Sequence, residues 1–113
     1  KRILNLFSNN DYFKNIEIQT KTLKDYIISK NIKEIDFLKI DTEGHEMEIL
    51  IGLQDYLQKV KIILFEHHFD DMIEKEYTFR DINSLLTKNH FIKVYKSKMP
   101  FRKSFEYIYV KKD

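Results

Sequence analysis

The first fifteen residues, through Asn9-Asn10-Asp11, show no clear period and read as irregular or partly helical. Apolar and polar positions then alternate over Ile16 to Thr20, a period of two that predicts a half-buried strand. Thr22 opens a helix: Asp25 stands three residues on in a near capping-box arrangement, and Leu23, Tyr26 and Ile27 share a face that runs to Ser29–Asn31. Ile35 to Asp41 is apolar on both faces (Ile35, Phe37, Leu38, Ile40), the pattern of an inner strand of a parallel sheet. Thr42-Glu43-Gly44 ends it, and Met47, Leu50, Leu53 and Leu57 form one helical stripe from His45 to about Gln58. Val60 to Glu66 reads as a third buried strand. After the polar stretch His67 to Tyr77, Thr78 and Asp81 make a capping box for a helix that turns Phe79, Ile82, Leu85 and Leu86 inward. Phe91 to Lys96 and Phe105 to Val110 alternate around Met99-Pro100 as a closing hairpin.

Strands that alternate with helices predict parallel crossovers, so the fold class is α/β with an antiparallel strand added by the hairpin. At 113 residues and no more than two glycines and one proline, the chain divides at no linker and is one folding region. The absence of cysteine excludes disulfide frameworks, thiol catalysis and cysteine-held zinc, and together with the lack of a signal-like segment predicts a cytoplasmic location. Apolar runs such as Ile62 to Phe65 fall far short of the roughly 20 residues that span a bilayer, so no membrane span is expected. The chain opens on Lys1-Arg2 rather than methionine, which reads as a segment of something longer.

Net charge is +2, but residues 1–35 carry +3, residues 36–81 −7 and residues 82–113 +6. The basic, aromatic hairpin has the composition of a single-strand nucleic-acid surface. Lysines on an outer hairpin also discourage edge pairing, and no nucleic-acid partner is expected. The acidic middle is more informative, because ligands of open parallel sheets bind beyond the carboxyl ends of the strands. Two of those ends are crowded: Lys39-Ile40-Asp41-Thr42-Glu43-Gly44-His45-Glu46, and Glu66-His67-His68 followed by Asp70-Asp71.

Lys39 interrupts a strand patterned for burial, with Asp41 on the same face as its nearest counter-charge; a lysine that merely reaches solvent gives the same pattern. Asp41 and Glu43 stand before a helix N-terminus, whose dipole keeps carboxylates ionised and able to bind a metal, orient a cation or accept a hydroxyl proton. Plain capping by Thr42 or Gly44, with Glu46 and Glu48 as first-turn anions, gives much the same sequence. Gly44 permits a turn that a β-carbon obstructs, and Gly52 inside the helix predicts close packing against the sheet. Glu66 arrives with two imidazoles, but His67 and His68 are adjacent and face opposite ways in extended chain, so at most one joins Glu66. His45 and His90, near a helix start and a helix end, carry less.

The block Ile35-Asp36-Phe37-Leu38-Lys39-Ile40-Asp41-Thr42-Glu43-Gly44-His45-Glu46, continuing through Ile49-Leu50-Ile51-Gly52, resembles the signature of the FkbM family of S-adenosylmethionine-dependent methyltransferases. Thr22 to Tyr26 and Ile62 to Glu66 fit the same family. The resemblance implies a class I, Rossmann-like methyltransferase fold with strand order 3-2-1-4-5-7-6, of which this chain would supply the carboxyl-terminal half, the fourth to seventh strands. It implies transfer of a methyl group from S-adenosylmethionine to a hydroxyl of a sugar, glycolipid or natural product, by in-line displacement. By position, Asp41, Glu43, Glu66 and His67 would face the reaction, and Lys39, His45 and His68 would hold the acceptor. A divalent metal on Asp41, Glu43 and Glu66 is conceivable in such folds. The glycine-rich loop and strand-end acid that hold most of the cofactor are absent, so 1–113 would be a partial domain that binds cofactor poorly alone.

Two other readings stand beside it. Asp41-Thr42-Glu43 has the acid-x-acid form of a metal-dependent glycosyltransferase, and the third reading is a non-catalytic module that keeps the fold's second half or pairs with another chain.

Overall fold

The computed structural model describes residues 15–113. Helix α1 (Leu23–Ser29) is followed by β1 (Ile35–Ile40), α2 (Glu46–Leu53), a 3₁₀ helix over Gln54–Lys59, β2 (Val60–His68), α3 (Phe79–Lys88), β3 (Phe91–Lys98) and β4 (Ser104–Lys111). The four strands form one mixed sheet in the order β1-β2-β4-β3, with β1 parallel to β2, and β4 antiparallel to both β2 and β3.

The caps follow the sequence. Thr22 Oγ1 accepts the Asp25 N–H at 3.1 Å, and Thr78 and Asp81 exchange side chain and backbone in a complete capping box. α3 then presents Ile82 and Leu86 to the core. The long helix expected from His45 to Gln58 instead ends at Leu53. Gln54 takes a positive φ of 51° and the chain tightens into 3₁₀ turns, which still bring Leu57 into the core with Leu50 and Leu53.

Two features differ from the sequence pattern. Ile16 to Thr20 is not a strand: Ile16 and Ile18 are 71% and 78% exposed, and without a neighbouring ladder alternation has nothing to pair with. β1 is not an inner strand among the described residues; it pairs with β2 alone, and Phe37 is 53% exposed. The expected reading of the first fifteen residues lies outside the described region, apart from Asn15.

All three helices contribute to a core on one face of the sheet. Ile27 of α1, Leu50 and Leu53 of α2, and Ile82 and Leu86 of α3 join Ile40, Ile63, Phe65, Tyr107 and Tyr109. Phe65 stacks between Tyr107 and Tyr109 with ring centres 5.5 and 5.8 Å away. The opposite face bears a cross-strand row Phe37-Ile62-Val110-Ile92 and, beside it, Lys39-Leu64-Ile108-Tyr95. These residues stay half-buried or exposed. Toward the carboxyl end of β2 the same face turns polar, through Glu66 opposite Glu106 and His68 opposite Ser104. Sheet alternation thus brings an apolar field up to a polar rim, where the candidate site sits.

Candidate active site

The turn after β1 is built from two left-handed residues, Glu43 at φ 51° and Gly44 at φ 107°. Glycine is required at the second: a Cβ there would lie 2.5 Å from the carbonyl oxygen of Glu74 and 2.8 Å from Ile73 Cγ2. The loop after β2 therefore lies directly against the signature turn. Gly52, by contrast, packs toward Thr22 rather than the sheet, with room for a methyl at 3.8 Å.

The turn sends its acidic residues in different directions. Asp41 pairs with Lys39 at 3.5 Å, both side chains more than half exposed, so Lys39 reaches solvent rather than serving as a buried counter-charge. Glu43 turns instead to His68, whose Nε2 lies 3.5 Å from Glu43 Oε2 and 3.5 Å from Glu66 Oε1. Ser104 donates its hydroxyl to the same Glu66 oxygen at 2.6 Å. The result is a largely buried imidazole held between two carboxylates at adjacent strand ends. Of the adjacent histidines it is His68 that joins Glu66.

His67 goes to the other side of the sheet, away from Glu66, where it was expected as its catalytic partner. Strand alternation dictates this. Its ring sits edge-on to Phe69 at 4.7 Å and near Tyr77 and Phe79, and its Nδ1 is buried without a hydrogen-bond partner among the described residues. Burial, reinforced by the Lys75 ammonium, lowers its pKa to about 4, so the ring is neutral at physiological pH.

Glu46, a first-turn anion by its place in the sequence, is a buried hub. Its Oε1 accepts from the Thr42 hydroxyl at 3.1 Å and the Gly44 N–H at 3.2 Å, and its Oε2 accepts from the Tyr77 hydroxyl. Burial pushes this carboxyl up, but hydrogen bonds from Tyr77, Gly44, its own backbone and Thr42 outweigh that and hold it below the ordinary value. Burial and the Glu46 charge raise the Tyr77 phenol. The helix is thus capped by Glu46 reaching back, while His45, at the N-cap position, makes no side-chain cap bond; it lies exposed, 3.9 Å from Glu48. Helical spacing held the clue, since Glu46 precedes Leu50 by four residues and Leu53 by seven and so shares their buried face.

Among the described residues no three histidine, aspartate or glutamate side chains converge as a metal site. Asp41 is drawn to Lys39, and Glu43 and Glu66 to His68, so Asp41, Glu43 and Glu66 are not gathered into one donor set in this structure. No described helix is long and apolar enough to cross a membrane.

The family model described as the methyltransferase FkbM domain matches residues 3–93. The chain is 27% identical over 71 residues to the 2-O-methyltransferase NoeI of Sinorhizobium fredii, an alignment that covers 63% of this chain and 29% of that protein. No solved structure matches. The signature turn, from the end of β1 into α2, and the strand ends it faces lie inside the matched region, and the chain belongs to the FkbM methyltransferase family.

Proposed function

We propose that the protein transfers a methyl group from S-adenosylmethionine to a hydroxyl of a sugar, glycolipid or natural-product acceptor. The observation that carries the chemistry is His68 between Glu43 and Glu66, at the strand ends of an FkbM domain. An acceptor hydroxyl must lose its proton as the oxygen forms its new bond, and an imidazole oriented by carboxylates can take that proton. Glu43 and Glu66 are positioning residues that stabilise the resulting imidazolium, and Ser104 fixes Glu66. Asp41 and Lys39 are a solvent-facing pair at the rim, suited to hydroxyl contacts rather than proton transfer. The name of the Sinorhizobium relative is consistent with oxygen as the nucleophile.

When bound, S-adenosylmethionine supplies the electrophilic methyl. The residues present fit it in part. A cleft of about 490 Å³ beside the β1 edge is walled by Leu23, Leu38, Ile40 and Ile49, with the Thr22 and Thr42 side chains lining it, a lining suited to a purine nucleoside.

The domain reading is that 1–113 supplies the fourth to seventh strands of a class I methyltransferase fold. The order β1-β2-β4-β3, with β4 antiparallel, supports it, being that fold's 4-5-7-6. The edge of β1 left unpaired among the described residues, and the apolar face on the side away from the core, support it as well, since both are where that fold's first three strands and their helices lie. The chain spans about 29% of the relative it matches.

The test is incubation with methyl-labelled S-adenosylmethionine and a panel of hydroxylated sugars, with calorimetry on this chain and on a version extended upstream. Label in an ether methyl, with cofactor bound far more tightly by the extended version, is the expected result. Label on nitrogen, or none with either protein, removes the O-methyl reading; tight binding by the short chain removes the domain reading.

A further inference from the structure

On the helix side of the sheet, a second cleft of about 370 Å³ opens between the end of β2 and the start of α3. Its walls combine aromatic rings (Phe69, Tyr77, Phe79) with two cations, Lys75 and Arg80, and it contains the ring of His67. Neither cation forms an ion pair among the described residues. The Lys75 ammonium, half-buried, is anchored only by the carbonyls of Asp70 and Ile73, at 2.9 and 3.4 Å. Of the nearby carboxylates, Asp70 accepts the Met72 N–H and Asp81 accepts the Thr78 N–H and hydroxyl. His67 is 2% exposed, yet among the described residues its Nδ1 has no partner, an arrangement that costs stability unless something completes it.

We propose that this cleft binds the anionic part of the methyl acceptor, a hydroxylated ring bearing a carboxylate or phosphate, with His67 Nδ1 meeting a ring hydroxyl and Lys75 and Arg80 meeting the anion. This rests on the methyl-transfer reading for the word acceptor, but not for the binding itself. The carbon face of a sugar ring suits Phe69 and Phe79. In this cleft His67 holds the anionic ring, on the face of the sheet opposite His68. The two adjacent histidines divide the work through strand alternation.

The test is nitrogen-detected NMR of the histidine-labelled protein, titrated at constant ionic strength with glucuronate, glucose 6-phosphate and glucose, with no methyl donor present. One or both acidic sugars should shift the His67 ring nitrogens saturably, at least tenfold more tightly than glucose; which of them binds identifies carboxylate or phosphate. Arg80→Gln, an exposed change that leaves the fold intact, should weaken that binding at least fivefold, and Lys75→Gln similarly. Glucose binding as well as its acidic relatives, saturable binding that leaves His67 unshifted, or no binding of any of the three overturns the proposal. Methyl transfer to a neutral acceptor without acidic-sugar binding removes this cleft and leaves the reaction standing. Acidic-sugar binding without methyl transfer does the reverse.

Discussion

The Tyr77 hydroxyl donates to Oε2 of Glu46, joining the end of the loop after β2 to the first turn of α2. Because the other oxygen of Glu46 holds Thr42 and Gly44, this single carboxylate ties both loops of the candidate site into one unit. Tyr77→Phe removes a hydrogen bond to a charged, buried acceptor and should cost about 1.5–3 kcal/mol in urea unfolding at neutral pH. Glu46 is held below its ordinary value of 4.5, so the network stabilises fully above that pH and its contribution is lost as pH falls through the folded value. The gap between wild type and Tyr77→Phe should therefore narrow in acid; a gap constant with pH contradicts an ionised Glu46.

The two glycines should respond oppositely to alanine. At Gly44 the new Cβ meets a backbone carbonyl at 2.5 Å in a left-handed conformation, so Gly44→Ala should cost roughly 2 kcal/mol or more and disturb the loop over Ile73 and Glu74. At Gly52 the new methyl meets Thr22 at ordinary contact distance in a helix interior, so Gly52→Ala should stabilise by about 0.4–1 kcal/mol. Thermal melts of the two variants check both signs.

His67 links stability to pH in the other direction from a paired histidine. Its folded pKa of about 4 lies below the ordinary 6.5, so below pH 6.5 the unfolded chain takes up a proton that the folded chain refuses. Stability should fall between pH 6.5 and 4, by up to about 3 kcal/mol from this group. His67→Gln should flatten that slope relative to wild type. Lys75→Gln, which removes the secondary cause, should move the NMR titration midpoint of His67 upward from about 4.

The elements that close their own local accounts were legible in the sequence. Thr78 and Asp81 announce a cap three residues apart, and the hairpin's alternation announces itself, so α3, β3 and β4 lie where expected. Ile16 to Thr20 carries an equally clear period, yet a strand needs a partner, and pairing is not a local property. The site divided in the same way. Alternation alone implied that one histidine at most could join Glu66, but choosing His68 required knowing that Glu43 turns through a left-handed φ to meet it. The Glu46–Tyr77 link joins positions 31 residues apart, and nothing local to Tyr77 marks it.

The two faces of the sheet give the last prediction. Ile63 is fully buried beneath the helices, while Phe37, on the strand beside it, is 53% exposed on the other face. Ile63→Ala should cost about 2–5 kcal/mol, as for other emptied core sites. Phe37→Ser removes a larger side chain, but half of its surface is already in water, so in this chain it should cost under about 1.5 kcal/mol. In a version extended upstream, where the domain reading lays further strands and helices against β1, the same Phe37→Ser should cost about 3 kcal/mol or more, because the ring becomes core. Urea unfolding of both variants in both lengths separates the cases. If Phe37→Ser costs the same in the two, nothing upstream covers that face, and the apolar rows on it need another explanation.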